Sequence, residues 1–181
     1  MRILIEDTMA LAVDYQERLM PAIFEAEQVI SNSVILWKGL QELGIPILVT
    51  EQYPKGLGPT VEPVILACAG AKVREKNSFS CFDEETIARE IRDSGRKNIV
   101  LAGCEAHVCV LQTAIDLIGG GYNLVLVSDC VGSRKAKDKE YALHRAQKEG
   151  AFLSTYEAVL FELLRYAGTE TFKAISKLVK G

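Results

Sequence analysis

The sequence predicts an α/β fold, a three-layer αβα arrangement around a mostly parallel, six-stranded, Rossmann-like sheet. Two observations lead there. Short apolar runs alternate along the chain with longer stretches of helical periodicity, the pattern of repeated βαβ units and of a parallel sheet covered on both faces. The chain has 181 residues, 49% of them hydrophobic and 25% charged. That is enough to bury a substantial core but too little for two ordinary domains with separate catalytic cores, so residues 1–181 are expected to form a single domain.

Six runs qualify as strands: residues 9–14, 45–50, 71–74, 98–102, 123–128 and 151–154. Pro46 sits at the start of the second, where its missing N–H is tolerated. Between the first two, residues 21–43 place Val29, Leu36, Trp37 and Leu40 among mostly polar neighbours, as an amphipathic helix would, and Gly44 marks its end. Residues 84–92, 107–118, 138–149 and 155–166 read the same way. Residues 3–6 are expected to add a short edge strand and residues 171–180 a terminal helix. Gly119, Gly120 and Gly121 follow a helix rather than precede one, so they read as a helix stop and not as a phosphate loop.

Formal net charge is −3 and the lysines and arginines are scattered, which gives nucleic-acid binding little electrostatic support. The longest basic cluster, residues 134–139, is interrupted by Asp138 and reads as a solvated turn, with docking of an anionic substrate group as the alternative. Five cysteines, an odd number without a C-x-x-C pair, point to free thiols, and the N-terminus has no basic-then-apolar signal segment. A reducing, cytoplasmic setting is expected. No apolar run approaches the ~20 residues that span a bilayer, so no membrane partner is expected.

In an open parallel sheet the ligand crevice lies at the carboxyl ends of the strands. That rule selects Asp14, Lys76 and residues 103–109. A carboxylate at such an edge can act as a base, although Asp14 alone reads equally well as a turn or capping aspartate. The Lys76 ammonium could favour a thiolate and steady developing negative charge, but lysine is also the commonest exposed cation. Cys109 falls where a strand gives way to a helix, facing free backbone N–H groups and the positive end of the helix dipole. On that argument Cys109 should have the lowest pKa of the five thiols, whereas Cys68 and Cys130 read as small buried hydrophobes. His107 lies two positions from Cys109, too close on a helix to face it, and is expected to contact substrate or cap the helix.

Three segments together carry a resemblance. Residues 14–16 (DYQ), 76–82 (KNSFSCF) and 103–110 (GCEAHVCV) are similar to the D-x-Q, K-x-x-F-S-x-F and nucleophile-turn motifs of the isochorismatase-like cysteine hydrolases, a superfamily that includes nicotinamidases. The resemblance covers nearly the whole chain. It implies Cys109 as nucleophile, Asp14 as proton acceptor and Lys76 as the positive group near both. It also implies a cis peptide between Cys104 and Glu105, with the backbone N–H groups of Glu105 and Cys109 forming the oxyanion hole. Gln16, Glu51, Gln52, Tyr53, Phe79 and His107 are then the residues expected to bind substrate.

Nicotinamidases place a D-x-H metal motif where this chain has Glu51, Gln52 and Tyr53, so no metal and no cofactor are expected. The EQYP segment, residues 51–54, resembles the branch of isochorismatase-domain-containing proteins. The resemblance implies a homo-oligomer acting on a small molecule. A cysteine nucleophile favours amide, carbamoyl or related carbonyl substrates. Two rival readings are a vinyl-ether hydrolase of the isochorismate type, which lacks such a cysteine, and a non-enzymatic thiol sensor or interaction protein on the same fold.

Overall fold

A computed structural model describes residues 2–181. Its strands are Thr8–Val13 (β1), Ile47–Gln52 (β2), Lys72–Lys76 (β3), Asn98–Cys104 (β4), Asn123–Gly132 (β5) and Phe152–Ser154 (β6). Every pairing is parallel and the order is β3-β2-β1-β4-β5-β6, so the mostly parallel sheet of the sequence reading is parallel throughout. β1 and β4 lie at its centre and are buried at every residue, which explains their unbroken apolar character. The direction of winding reverses between them, the place where such sheets open a crevice at their carboxyl edge.

The helices are Ala26–Glu42 (α1), Pro54–Leu57 (α2), Glu62–Ala67 (α3), Glu85–Asp93 (α4), Leu111–Gly119 (α5), Ala136–Glu149 (α6), Tyr156–Leu164 (α7) and Glu170–Lys180 (α8). α1 packs with α3, α7 and α8 on one face, while α5 packs with α6 on the other. The stripe read from α1 is the one it buries: Leu36, Trp37 and Leu40 have no exposed surface, and Tyr15 meets Trp37 edge to face at 6.2 Å. Gly44 follows α1 with φ 69, the left-handed residue that lets the chain leave a helix.

Some expectations are corrected. Residues 3–6 form no edge strand; a 3-10 turn runs from Ile5 to Asp7. The turn closes on itself, with Asp7 N donating to Leu4 O at 3.2 Å and Thr8 N to Ile5 O, and Thr8 Oγ1 and an Arg96 guanidinium add second donors to the same carbonyls at 2.6 and 2.8 Å, so the segment needs no neighbouring strand. The helix expected from residue 21 begins at Ala26, because Met20–Ala22 closes as a separate 3-10 turn and Glu25 takes a left-handed conformation. Residues 134–139 are split, with α6 starting at Ala136. Among the described residues no helix is long and apolar enough to cross a membrane.

One glycine decides how β4 meets β1. Gly103 has φ 144, and a Cβ there would fall within forbidden distance of the Val13 carbonyl. It sits within β4 opposite Val13, the last residue of β1, and at the place where the β4–β5 register shifts. Gly103→Ala is therefore expected to cost about 3 kcal/mol or more, from backbone strain and overpacking together. Urea denaturation measures it, and a change under about 1 kcal/mol would show that β1 and β4 can part without penalty.

Candidate functional site

Asp14 follows β1 immediately, with φ 54 and no exposed surface. Its N–H donates to Thr50 O at 3.1 Å, and Thr50 Oγ1 donates back to Asp14 Oδ1 at 2.8 Å. Lys76, the last residue of β3, brings Nζ to 2.7 Å from Asp14 Oδ2, and neither side chain has exposed surface. The same ammonium donates to Gln52 Oε1 at 2.6 Å and to the Ser78 and Phe79 carbonyls at 3.2 Å each. Three N–H donors cannot serve four acceptors. The 2.7 Å contact with Asp14 Oδ2 is the charge-assisted one, and the Ser78 and Phe79 carbonyls at 3.2 Å share what donor capacity is left. Burial works to lower the Lys76 pKa, but the Asp14 charge, with smaller effects of Cys81 and Cys109, outweighs it and leaves the ammonium raised.

Cys109 lies in a π-helical turn, Ala106–Val110, that joins β4 to α5. It is 6% exposed, and its Sγ is 4.0 Å from Gln52 Oε1, so one amide oxygen faces both the thiol and the Lys76 ammonium. The Cys104–Glu105 peptide is cis. Glu105 O accepts from Val108 N at 3.1 Å and Val110 N at 3.2 Å. Among the described residues the N–H of Glu105, the residue before this turn, makes no backbone hydrogen bond, as amides at the start of a helix commonly do not. The Glu105 carboxylate turns away to accept from Arg134 N at 3.1 Å and Arg134 Nε at 2.9 Å.

The thiol expectation is overturned. Burial pushes Cys109 up to about 12, the Asp14 charge adds to the rise, and Lys76 opposes it without prevailing. Cys81 reaches about 11 and Cys68 about 12, while burial moves Cys104 and Cys130 upward as well. A turn of free amides and a lysine do not depress a thiol whose next neighbour is a buried carboxylate.

These shifts set an alkaline limit. A folded pKa above the unfolded value near 9 contributes stability that is complete below pH ~9 and is lost as pH rises toward the folded value. Unfolding free energy is expected to stay flat to about pH 8.5, then fall by up to ~1.4 kcal/mol per pH unit for each thiol. Urea midpoints between pH 7 and 10.5 test this, and a flat profile would mean the thiols titrate freely.

The remaining sequence candidates separate. Gln52 is half-buried beside the thiol. Gln16 is a correction: it has no exposed surface, its Nε2 donates to Gln52 O at 3.0 Å and Gly58 O at 2.7 Å, and its Oε1 accepts from Gln52 N at 2.8 Å. Fully engaged, it positions Gln52. Glu51, half-buried, takes both the N–H and the hydroxyl of Thr60 on one carboxylate oxygen, at 2.7 and 2.8 Å. Tyr53 and Phe79 are 55% and 53% exposed, on the segments that leave β2 and β3. His107 pairs Nδ1 with Ser133 Oγ at 3.0 Å; the helix-capping position belongs to Glu105.

Thr50 and Cys81 were missed. Thr50 stands opposite Val13 in the β1–β2 register, and its hydroxyl lies 3.7 Å from Cys81 Sγ. The signal was a threonine at the carboxyl end of an apolar strand. Among the described residues no group of three or more metal-ligating side chains is gathered. Two open clefts, of about 850 Å³ near Pro46 and Lys72 and about 1130 Å³ between α1 and α8, lie away from the Asp14, Lys76 and Cys109 cluster.

A parallel sheet that gathers a carboxylate, an ammonium and a thiol at its carboxyl edge defines an α/β protein with a hydrolase fold. Residues 8–158 match the isochorismatase domain, and the chain belongs to the isochorismatase family. It is 38% identical to zebrafish isochorismatase domain-containing protein 2 over 98% of this chain and 89% of that one. To zebrafish isochorismatase domain-containing protein 1 it is 42% identical over 92% of this chain, spanning 59% of the relative's length. Among solved structures, the MAR1 ribonuclease of Caenorhabditis elegans superposes with a TM-score of 0.93 at 35% identity, covering 100% of this chain and 93% of that one. The YcaC product of Escherichia coli, described as an octameric hydrolase of unknown specificity, shares the fold at TM-score 0.92 and 23% identity, over 98% of this chain and 90% of its own.

Proposed function

We propose that the protein hydrolyses a small amide, carbamoyl or related carbonyl compound, with Cys109 as nucleophile, Asp14 as proton carrier and Lys76 as the compensating charge. The observation that carries this reading is the convergence of three side chains from separate strand ends, with Lys76 Nζ 2.7 Å from Asp14 and both Lys76 and Cys109 against one Gln52 oxygen.

With the resting thiol near 12, free thiolate is scarce, so proton transfer accompanies attack. The thiol proton passes to the Asp14 carboxylate, whose charge and hydrogen bond act directly on the Cys109 thiol. Sγ bonds to the carbonyl carbon, whose π pair moves to oxygen and is held by the Glu105 and Cys109 N–H groups. Collapse breaks the C–N bond, and the amine leaves with the proton from Asp14. Asp14 then takes a proton from water, hydroxide adds to the thioester, and the thiolate departs and recovers its proton. Carboxylic or carbamic acid and amine are the products. Lys76 offsets the negative charge that stays beside the sulfur throughout.

The C. elegans neighbour's name would bring RNA to this site. A net charge of −3 with scattered basic residues supports a small-molecule substrate over a polyanion. The octameric assembly described for the E. coli YcaC product favours a homo-oligomer here too, and five free thiols favour a reducing, cytoplasmic setting. Ammonia release from a panel of primary amides and carbamoyl compounds tests the activity. At least one member is expected to be turned over. Pyruvate from isochorismate, with no ammonia from any member, would replace this reading with vinyl-ether hydrolysis.

A further inference from the structure

In the resting site the side chains of Asp14 and Lys76 have no exposed surface, so neither presents a polar group to the solvent side of Cys109. The polar atom beside the thiol on a half-buried residue is Gln52 Oε1, 4.0 Å from Sγ. Its identity as oxygen rather than nitrogen is settled by two partners. Gln52 Nε2 donates to Asn77 O at 2.8 Å, and Oε1 accepts from the Lys76 ammonium at 2.6 Å; the flipped amide would set NH2 against an ammonium and oxygen against a carbonyl. The backbone of Gln52 is gripped on both sides by the buried Gln16 amide, so the side chain starts from a fixed point.

We infer that Gln52 is the specificity-determining residue of this site, an acceptor that reads an N–H on the group attached to the substrate carbonyl and so selects amide and carbamoyl nitrogen over ester oxygen. A carbonyl oxygen has two lone pairs; one is used by Lys76 and the other faces the thiol side. The 4.0 Å contact with the S–H is a weak one that an N–H can replace when the thiol gives up its proton. An ester would set an oxygen lone pair against this acceptor and leave it unpaired. The inference rests on Cys109 being the nucleophile and adds what that nucleophile is offered.

Two electrophiles of similar shape test it without any need for turnover. 2-Chloroacetamide and methyl chloroacetate both alkylate a thiol, forming the S–C bond as chloride leaves, but only the first carries N–H groups. Peptide mass mapping gives the Cys109 rate with each, and the ratio is divided by the ratio for glutathione to remove intrinsic reactivity. The wild type is expected to favour the amide by on the order of tenfold after that correction. Gln52→Leu should bring the ratio to within about twofold of glutathione. Gln52→Glu, which keeps an acceptor oxygen, should retain the preference.

Circular dichroism checks the fold of each variant, and Gln52→Met replaces Gln52→Leu if the latter fails to fold. A wild-type ratio equal to that of glutathione, an unchanged ratio in the leucine variant, or no modification of Cys109 by either reagent would overturn the inference. Failure of the hydrolase reading looks different: the amide preference would depend on Gln52 while no amide or carbamoyl compound released ammonia.

Discussion

Lys76→Met is expected to destabilise the protein by about 3–5 kcal/mol and to abolish turnover. The ammonium and the Asp14 carboxylate are 2.7 Å apart, and neither side chain has accessible surface. Removing one member of such a pair leaves the other charge buried and uncompensated, and that uncompensated charge is the source of the cost. The Ser78 and Phe79 carbonyls and Gln52 Oε1 would lose their donor as well. Because the damage comes from the orphaned carboxylate, the double variant Asp14→Asn, Lys76→Met should recover much of the stability while remaining inactive. Urea denaturation at pH 7 separates the cases. A single-variant loss under about 1 kcal/mol would mean that water reaches Asp14 and that the pair is not a buried one.

Asp14→Asn is expected to lower turnover by about 10²- to 10⁴-fold while making Cys109 easier to alkylate. The amide is isosteric, so the site can keep its shape, but the buried Lys76 ammonium is left without its compensating charge and stability is expected to fall as well. The amide cannot carry the proton between sulfur, leaving amine and water, and hydrolysis fails. The thiol meanwhile loses the negative neighbour that raises it and keeps the positive one that lowers it. Its pKa therefore falls from about 12, and the iodoacetamide labelling profile of the Cys109 peptide should move to lower pH. In the wild type, labelling should still be rising at pH 10. Coincident profiles for the two proteins would place the carboxylate too far from the sulfur to act on it.

The sheet was legible because its strands are buried on both faces and so read as apolar runs between helical stretches. Boundaries were less legible where side chains decide them. Nothing in residues 3–6 announces that Thr8 and Arg96 will add donors to their carbonyls, since that depends on an arginine far along the chain. The cluster itself was legible through a geometric rule, that residues closing strands of a parallel sheet share one edge; Asp14, Lys76 and Cys109 obey it. What the rule could not supply was direction. Gln16 and Gln52 are both glutamines at that edge, yet one is consumed by backbone and the other faces the thiol, a difference set by how β2 registers against the turn after β1. The sign of the Cys109 shift was misjudged for a related reason. Helix position and a lysine are visible in sequence, while burial beside a carboxylate is a property of the packed sheet.

The central claim is that a covalent bond to Cys109 lies on the path of C–N hydrolysis. Acid quenching during turnover of an amide that releases ammonia, followed by peptide mass mapping, tests it most directly. The account predicts an acyl or carbamoyl mass on the peptide containing Cys109 and on none of the other four cysteines, with both that mass and ammonia release lost in Cys109→Ala. Ammonia released at an undiminished rate by Cys109→Ala, with no modified cysteine at any quench time, would contradict it.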